Sequence, residues 1–182
     1  MTSSGAQTFP DIADRSQDDR KLRINEVFHG ETRHPASSRG ISFTLEGARS
    51  DSECPSAVWG QRLQAVLVEG HCNQVIRGLY ADRGRALAGL IVIMNMGDYS
   101  AAQKVVDALD SSTKQGFVFP LASKSSDVGF GSGLSVANGE SVGHYVFISW
   151  VQDRRTSGVP RDYLIHATSV LDSARDALIH RA

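Results

Sequence analysis

The chain has 182 residues, a length that suits one domain with a sizeable hydrophobic core. Hydrophobic residues make up 41% of it, and the formal net charge of -1 argues against a dedicated electrostatic surface for nucleic acid. No apolar run is long enough to span a membrane, and the N-terminal part has no signal-peptide hydrophobic region. We therefore expect an intracellular protein, cytoplasmic or nuclear, without a membrane partner.

The chain contains two cysteines, Cys54 and Cys72. Their spacing matches no metal-ligand pattern, and two cysteines are far fewer than a disulfide scaffold contains. The composition therefore predicts two reduced thiols, in agreement with an intracellular protein.

The N-terminal segment, residues 1–22, is rich in Ser, Asp, Gln and Arg and has little apolar periodicity. This composition predicts a disordered arm, so we expect a single folded domain over residues 23–182. Residues 24–29 could form a short strand. The alternation of apolar and polar residues over 41–45 predicts a half-buried strand.

A helix is predicted next, which opens at Pro55 or Ser56 and ends at Gly70, a residue that commonly follows a helix. Its apolar residues recur at a spacing near 3.6, which marks one buried face. They are Trp59, Leu63, Val66 and Leu67. Residues 83–88 could form a further short helix. The apolar run over 90–96 predicts a central strand.

A short amphipathic segment is predicted from Asp98 or Tyr99 through Val105, Val106 and Leu109, and residues 117–121 predict another strand. Residues 122–143 are rich in Gly, Ser and Asn, which favours a long loop. Loops of this length in compact domains are often functional.

The last part of the chain contains an aromatic and β-branched run over residues 145–151, which predicts a buried strand. Pro160 prevents a helix from starting earlier, and residues 163–165 could form a second short strand. A helix over residues 168–180 is expected to close the chain. Strands without regular helical crossovers favour an α+β fold over a doubly wound parallel sheet.

Three segments resemble, in the same order, the catalytic domain of the poly(ADP-ribose) polymerase (PARP) family. The first is RGLYAD at residues 77–82, the second LIVIMNMGDYS at residues 90–100, and the third the aromatic strand at 145–151 with the PRDYLI stretch after it. The resemblance covers residues 41–168. It implies an ADP-ribosyltransferase-like fold, in which two abutting, mostly antiparallel sheets with few helices enclose a cleft, and it implies NAD as substrate.

The resemblance assigns residues to the nicotinamide end of NAD. Tyr80 corresponds to the family tyrosine that stacks on nicotinamide, and Gly78 belongs to the same segment. The family histidine has two candidate positions. One is His29 in VFHG, and the other, at a spacing closer to that of the family, is Glu46 followed by Gly47 in TLEG.

The catalytic glutamate of the family corresponds to His144, and the nearest carboxylate is Glu140, four residues upstream. A neutral imidazole does not supply the negative charge that a carboxylate offers to a developing cation. The departure argues against polymer formation. Two functions stay open: mono-ADP-ribosyl transfer from NAD to a macromolecular target, and an inactive PARP-like scaffold that mediates protein–protein interaction.

Other motifs are weaker. His29 and His34 flank Glu31, but the intervening Gly30 and the following Pro35 do not allow a metal-binding helix, so no metal site is expected. The GFGSG stretch at residues 129–133 has no helix pattern after it and predicts a turn rather than a phosphate loop.

Overall fold

The computed structural model describes residues 9–84, 86–110, 112, 114–122, 130, 133–154 and 158–181. The described residues form seven strands and five α-helices. The strands are β1 (Phe43–Asp51), β2 (Val58–Trp59), β3 (Gln74–Asp82), β4 (Leu87–Asn95), β5 (Phe117–Val118), β6 (Ser135–Val142) and β7 (Tyr145–Asp153). The helices are α1 (Ile24–Val27), α2 (Gln61–Glu69), α3 (Tyr99–Ala108), α4 (Arg161–Leu171) and α5 (Asp176–Ile179).

The fold is α+β, as the sequence predicts, and both of its sheets are antiparallel. Five strands form the main sheet in the order β1-β3-β4-β7-β6, and β2 pairs with β5 in a sheet of only two residues per strand. Among the described residues, no helix is long and apolar enough to cross a bilayer.

The centre of the main sheet is buried on both faces. Every residue of β4 is buried, which agrees with its continuous apolar run and confirms the central strand predicted over 90–96. β7 confirms the strand predicted over 145–151. Helices α2 and α3 cover one face. The N-terminal residues, α1, α4 and α5 cover the other.

The prediction of a disordered arm through residue 22 is wrong for the described part of the arm. Ile12 and Leu22 are buried in the core, and the backbone N–H and C=O of Leu22 bond the Gln74 side chain. Few apolar residues suffice to order this segment, because polar contacts to the sheet hold the rest of it in place. Residues 1–8 lie outside the described residues.

Three short segments differ from the predicted secondary structure. Residues 24–29 contain helix α1, and residues 163–165 lie inside helix α4 rather than in a strand. Pro160 is the N-cap residue of α4, so the proline sets the start of this helix. Residues 83 and 84 form the tight turn between β3 and β4 instead of a helix.

The predicted loop over 122–143 contains strand β6, which pairs with β7 through a two-residue turn at Gly143 and His144. Gly143 has φ +56, and a side chain there would collide with Ile12. Strand propensities do not predict β6, because its Gly and Ser residues have little intrinsic preference for a strand. Pairing with β7 forms the strand instead.

Cys54 and Cys72 form a disulfide, so the prediction of two reduced thiols is wrong. The two cysteines are 18 residues apart and enclose β2 and α2. A bridge of this kind links the segment before β2 to the start of β3, which keeps the small sheet against the main one.

Replacing both cysteines, in Cys54→Ala with Cys72→Ala, should lower the free energy of unfolding by about 3 kcal/mol, because the unfolded chain regains the entropy of a short closed loop. Urea unfolding with and without a dithiol reductant measures the loss. The reductant should shift the parent midpoint and leave the double variant unchanged. A parent midpoint insensitive to reduction would contradict the role given to the bridge.

Candidate functional site

Tyr80, which the resemblance places on nicotinamide, lies in the core. Its side chain is 0% exposed, and its hydroxyl donates a hydrogen bond to the Thr32 carbonyl oxygen at 2.6 Å. The rings of Phe28 and Phe43 meet the tyrosine ring edge to face, at centroid distances of 6.2 and 6.4 Å. Burial raises the pKa of the hydroxyl. The space around this ring is therefore filled by protein.

Gly78, Glu46 and Gly47 lie close to Tyr80 through strand pairing. β1 has a bulge between Leu45 and Gly47, where Glu46 is the additional, exposed residue. Gly78 is buried, and a Cβ at this position would collide with the Phe28 ring. The glycine thus makes room for an aromatic side chain of the same chain.

His29 is exposed and precedes the 3-10 turn Gly30–Thr32. It borders a cavity of about 500 Å³ together with Glu31, Asp176 and His180. Among the described residues, no group of three or more His, Cys, Asp or Glu is arranged to hold a metal ion. Tyr80 is not among the residues that line this cavity, so the two side chains do not share it.

His144 is fully buried in the turn between β6 and β7. Its backbone N–H and its Nδ1 each lie 2.7 Å from the Ile12 carbonyl oxygen. Because burial lowers the pKa of the imidazole, the ring is neutral and Nδ1 donates the proton to Ile12. Nε2 is buried and has no hydrogen-bond partner among the residues that the structure describes. His144 therefore anchors the N-terminal segment.

Glu140 lies on β6 and accepts a hydrogen bond from Arg175 at 2.9 Å. The strand register separates the predicted catalytic and NAD-binding residues. Tyr145, next to His144, lies level with Gln74, and Tyr80 is six residues further along β3. At about 3.3 Å per residue this is roughly 20 Å. The structure therefore does not bring His144 together with Tyr80 and the glycines beside it.

Tyr80→Ala should lower the free energy of unfolding by about 3–5 kcal/mol, because it removes a fully buried ring. Tyr80→Phe should cost about 1–3 kcal/mol, since it leaves the Thr32 carbonyl without its donor. Urea unfolding compares both with Tyr163→Phe, a partly exposed tyrosine on α4 that should change stability by about 0.5 kcal/mol or less. A Tyr80→Ala protein as stable as the parent would place this ring at a surface.

A partly buried ionic cluster holds the N-terminal segment against the C-terminal helices. The guanidinium of Arg181 bonds Asp18 and Glu26, and its Nε lies 2.9 Å from Asp18 Oδ2. The Tyr145 hydroxyl donates to the same carboxylate at 2.6 Å. Burial raises the pKa of Glu26, but the hydrogen bonds from Arg20 and Arg181 outweigh burial and bring the pKa to about 2.

The ionic cluster predicts an acid-sensitive stability. Asp18 and Glu26 have lowered pKa values in the folded state, so their contribution is complete above their unfolded values and is lost as the pH falls from about 4.5 towards 2. Thermal unfolding across this range measures the loss. Arg181→Met should cost about 3–5 kcal/mol near neutral pH and flatten the acid dependence. An equally steep acid dependence in the variant would exclude the cluster as its cause.

A second cavity, of about 700 Å³, lies where the small sheet meets the outer strand β6. We call it the aromatic groove. Its residues are Trp59, Leu109, Lys114, Gly116, Phe117, Ser135, Val136, Ala137, Trp150 and Arg161. This volume falls in the range of protein sites that hold small molecules or the side chains of a peptide.

Two glycines place the aromatic side chains of the groove. Trp59 pairs with Phe117 across β2 and β5, and Gly60 and Gly116 follow and precede these residues. Their φ angles are +98 and +139, and a Cβ on either would collide with the opposite backbone. The strands therefore approach closely at this end, with both aromatic residues beside the groove.

Arg77 connects the small sheet to the main sheet. This buried residue of β3 donates to the Phe119 carbonyl oxygen at 2.9 Å and to Asp51 of β1 at 2.8 Å. The Phe119 N–H in turn donates to the Ala57 carbonyl oxygen at 2.8 Å. These bonds, with the disulfide, hold the Trp59 side of the groove in position.

The walls of the groove are aromatic and its charge is positive. Phe117 meets Trp150 edge to face at 5.0 Å, and Phe130 packs on the same indole at 4.1 Å. Trp59 remains 49% exposed, which is unusual for a residue of this size. Lys114 and Arg161 are both exposed, and within the described part of the chain no residue that lines the groove carries a carboxylate.

Sequence patterns miss this site because its residues belong to five different elements. Trp59 fits the apolar spacing of a predicted helix, and Trp150 fits a core strand. The available signal was the tryptophan count: the chain has two, and both line the groove. Nothing in their spacing predicts that they line one groove.

Comparison with known proteins gave no match among protein-family models, curated proteins or solved structures.

Proposed function

We propose that the chain is a protein-interaction domain, whose aromatic groove binds an acidic segment of a partner protein. The observation that carries the proposal is the exposed Trp59 beside Phe117 and Trp150, in a groove whose described lining residues include two cations and no carboxylate. Tryptophan and arginine are the residues that most often dominate the binding energy of protein interfaces.

The groove accounts for two properties of its ligand. Aromatic walls favour an apolar or aromatic side chain, which loses its contact with water against the indole rings. Lys114 and Arg161 favour a carboxylate next to that side chain. α4 begins at Arg161, so the positive end of its helix dipole adds to the same charge.

The ADP-ribosyltransferase-like fold and mono-ADP-ribosyl transfer stay predictions of the family resemblance. They require NAD to bind near Tyr80, where aromatic rings of the chain now fill the space. Calorimetric titration with NAD tests them directly. Saturable heat of binding to the parent protein that persists in Tyr80→Phe, which keeps the stacking ring, would favour the transferase over the interaction domain.

Selection of displayed random peptides on the full chain tests the groove. Enriched peptides should combine an aromatic or large aliphatic residue with Asp or Glu. Because both tryptophans line the groove, the intrinsic fluorescence of the protein reports its occupancy. Trp59→Ala should weaken a selected peptide at least tenfold, and Lys114→Glu or Arg161→Glu should weaken it and reduce the salt dependence of binding.

Two variants serve as matched controls. Val68→Ala removes an apolar side chain that is 63% exposed on α2, and Lys104→Glu reverses an exposed charge on α3. Neither residue lines the groove, so neither should change the affinity. If no peptide is enriched, or if selected peptides bind Trp59→Ala as well as the parent, the proposed function is wrong.

A further inference from the structure

Strand β6 is one outer strand of the main sheet, and its backbone has a defined outward side. Val142 and Tyr145 close the two-residue turn as a hydrogen-bonded pair. Leu134 and Asp153 form a pair of the same bonded type at the other end, where the Leu134 carbonyl oxygen accepts from the Asp153 N–H at 2.9 Å. In an antiparallel pair, bonded and non-bonded residues alternate. The even-numbered residues of β6 therefore bond β7, while Ser135, Ala137 and Gly139 direct their N–H and C=O groups outward.

These outward groups have no hydrogen-bond partner in the part of the chain that the structure describes. The strand also lacks the usual protection against a further strand. It contains no proline, no lysine and no bulge, and its single charge, Glu140, is paired with Arg175.

The opposite edge of the sheet differs. β1 has a bulge at Glu46, carries Arg49, and donates its Leu45 N–H to the Arg33 carbonyl oxygen at 2.9 Å. Two edges of one sheet thus differ in protection, and the unprotected one borders the aromatic groove. Ser135, Val136 and Ala137 line the groove directly.

The charge of the groove decides between two occupants of this edge. A second copy paired through β6 around a two-fold axis would bring two sets of Lys114 and Arg161 towards one interface, which costs free energy. A segment of another protein with carboxylates meets the same cations favourably.

We propose that an acidic segment of a partner protein adds to the sheet as a sixth strand, antiparallel or parallel to β6. Its backbone bonds Ser135, Ala137 and Gly139, and its alternate side chains enter the aromatic groove. This inference rests on the proposed function and adds the mode of binding.

N-methylation of a selected peptide, one residue at a time, tests this mode on the parent protein. A strand uses the N–H of every second residue, so methylation should weaken binding about tenfold at alternate positions and much less between them. Hydrogen exchange at the Ala137 and Gly139 amides should slow on peptide binding. Ala137→Pro removes an outward donor without removing a bond to β7, and it should reduce peptide affinity while the protein stays folded.

The outcomes separate the two proposals. Tryptophan fluorescence that responds to the peptide, without alternation in the methyl scan and without slowed exchange at Ala137 and Gly139, overturns strand addition and leaves groove binding intact. Absence of any selected peptide overturns the proposed function itself. A dimer in sedimentation velocity that the peptide dissociates would show that a second copy is the occupant of the edge, against the proposal.

Discussion

The double-sided burial of β4 and β7 is the constraint on which the rest of this structure depends. A strand that is apolar on both faces needs a cover on each side, and antiparallel connections do not supply helical covers by themselves. The chain covers one face with α2 and α3 and the other with its N-terminal residues, α1, α4 and α5. The cover leaves the outer side of β6 free, and this is where the aromatic groove forms.

The elements that can be predicted from the sequence are those whose signals are local. The central strands and α3 can be predicted because apolar runs and an N-cap at Asp98 are local signals, and the Asp98 side chain does accept from the Ala101 N–H. The helix predicted over residues 168–180 overlaps the end of α4, but the start of α4 is predicted as a strand, because three apolar residues after a proline fit a strand as well as a first helical turn. β6 cannot be predicted from its own residues, because its pairing with β7 rather than their intrinsic preference forms the strand.

The candidate site was the least predictable part. The family resemblance places Tyr80 at a cleft. The residues next to Tyr80 in the sequence do not reveal that Phe28, from a distant segment, packs against its ring. The groove itself depends on the approach of Gly60 and Gly116, which are far apart in sequence.

The disulfide also means that reduced thiols no longer support an intracellular location, because such bridges are uncommon in reducing compartments.

The contact between Asp18 and Arg181 has a consequence for how the protein is made. The two residues are 163 positions apart, so Asp18 leaves the ribosome long before its partner is synthesised. Until then the N-terminal segment can bond only partners that are synthesised earlier, such as Gln74 through Leu22 and Tyr145 through Asp18. We expect the contact with Arg181 to form last and to complete the docking of the N-terminal segment as a late step in biosynthesis.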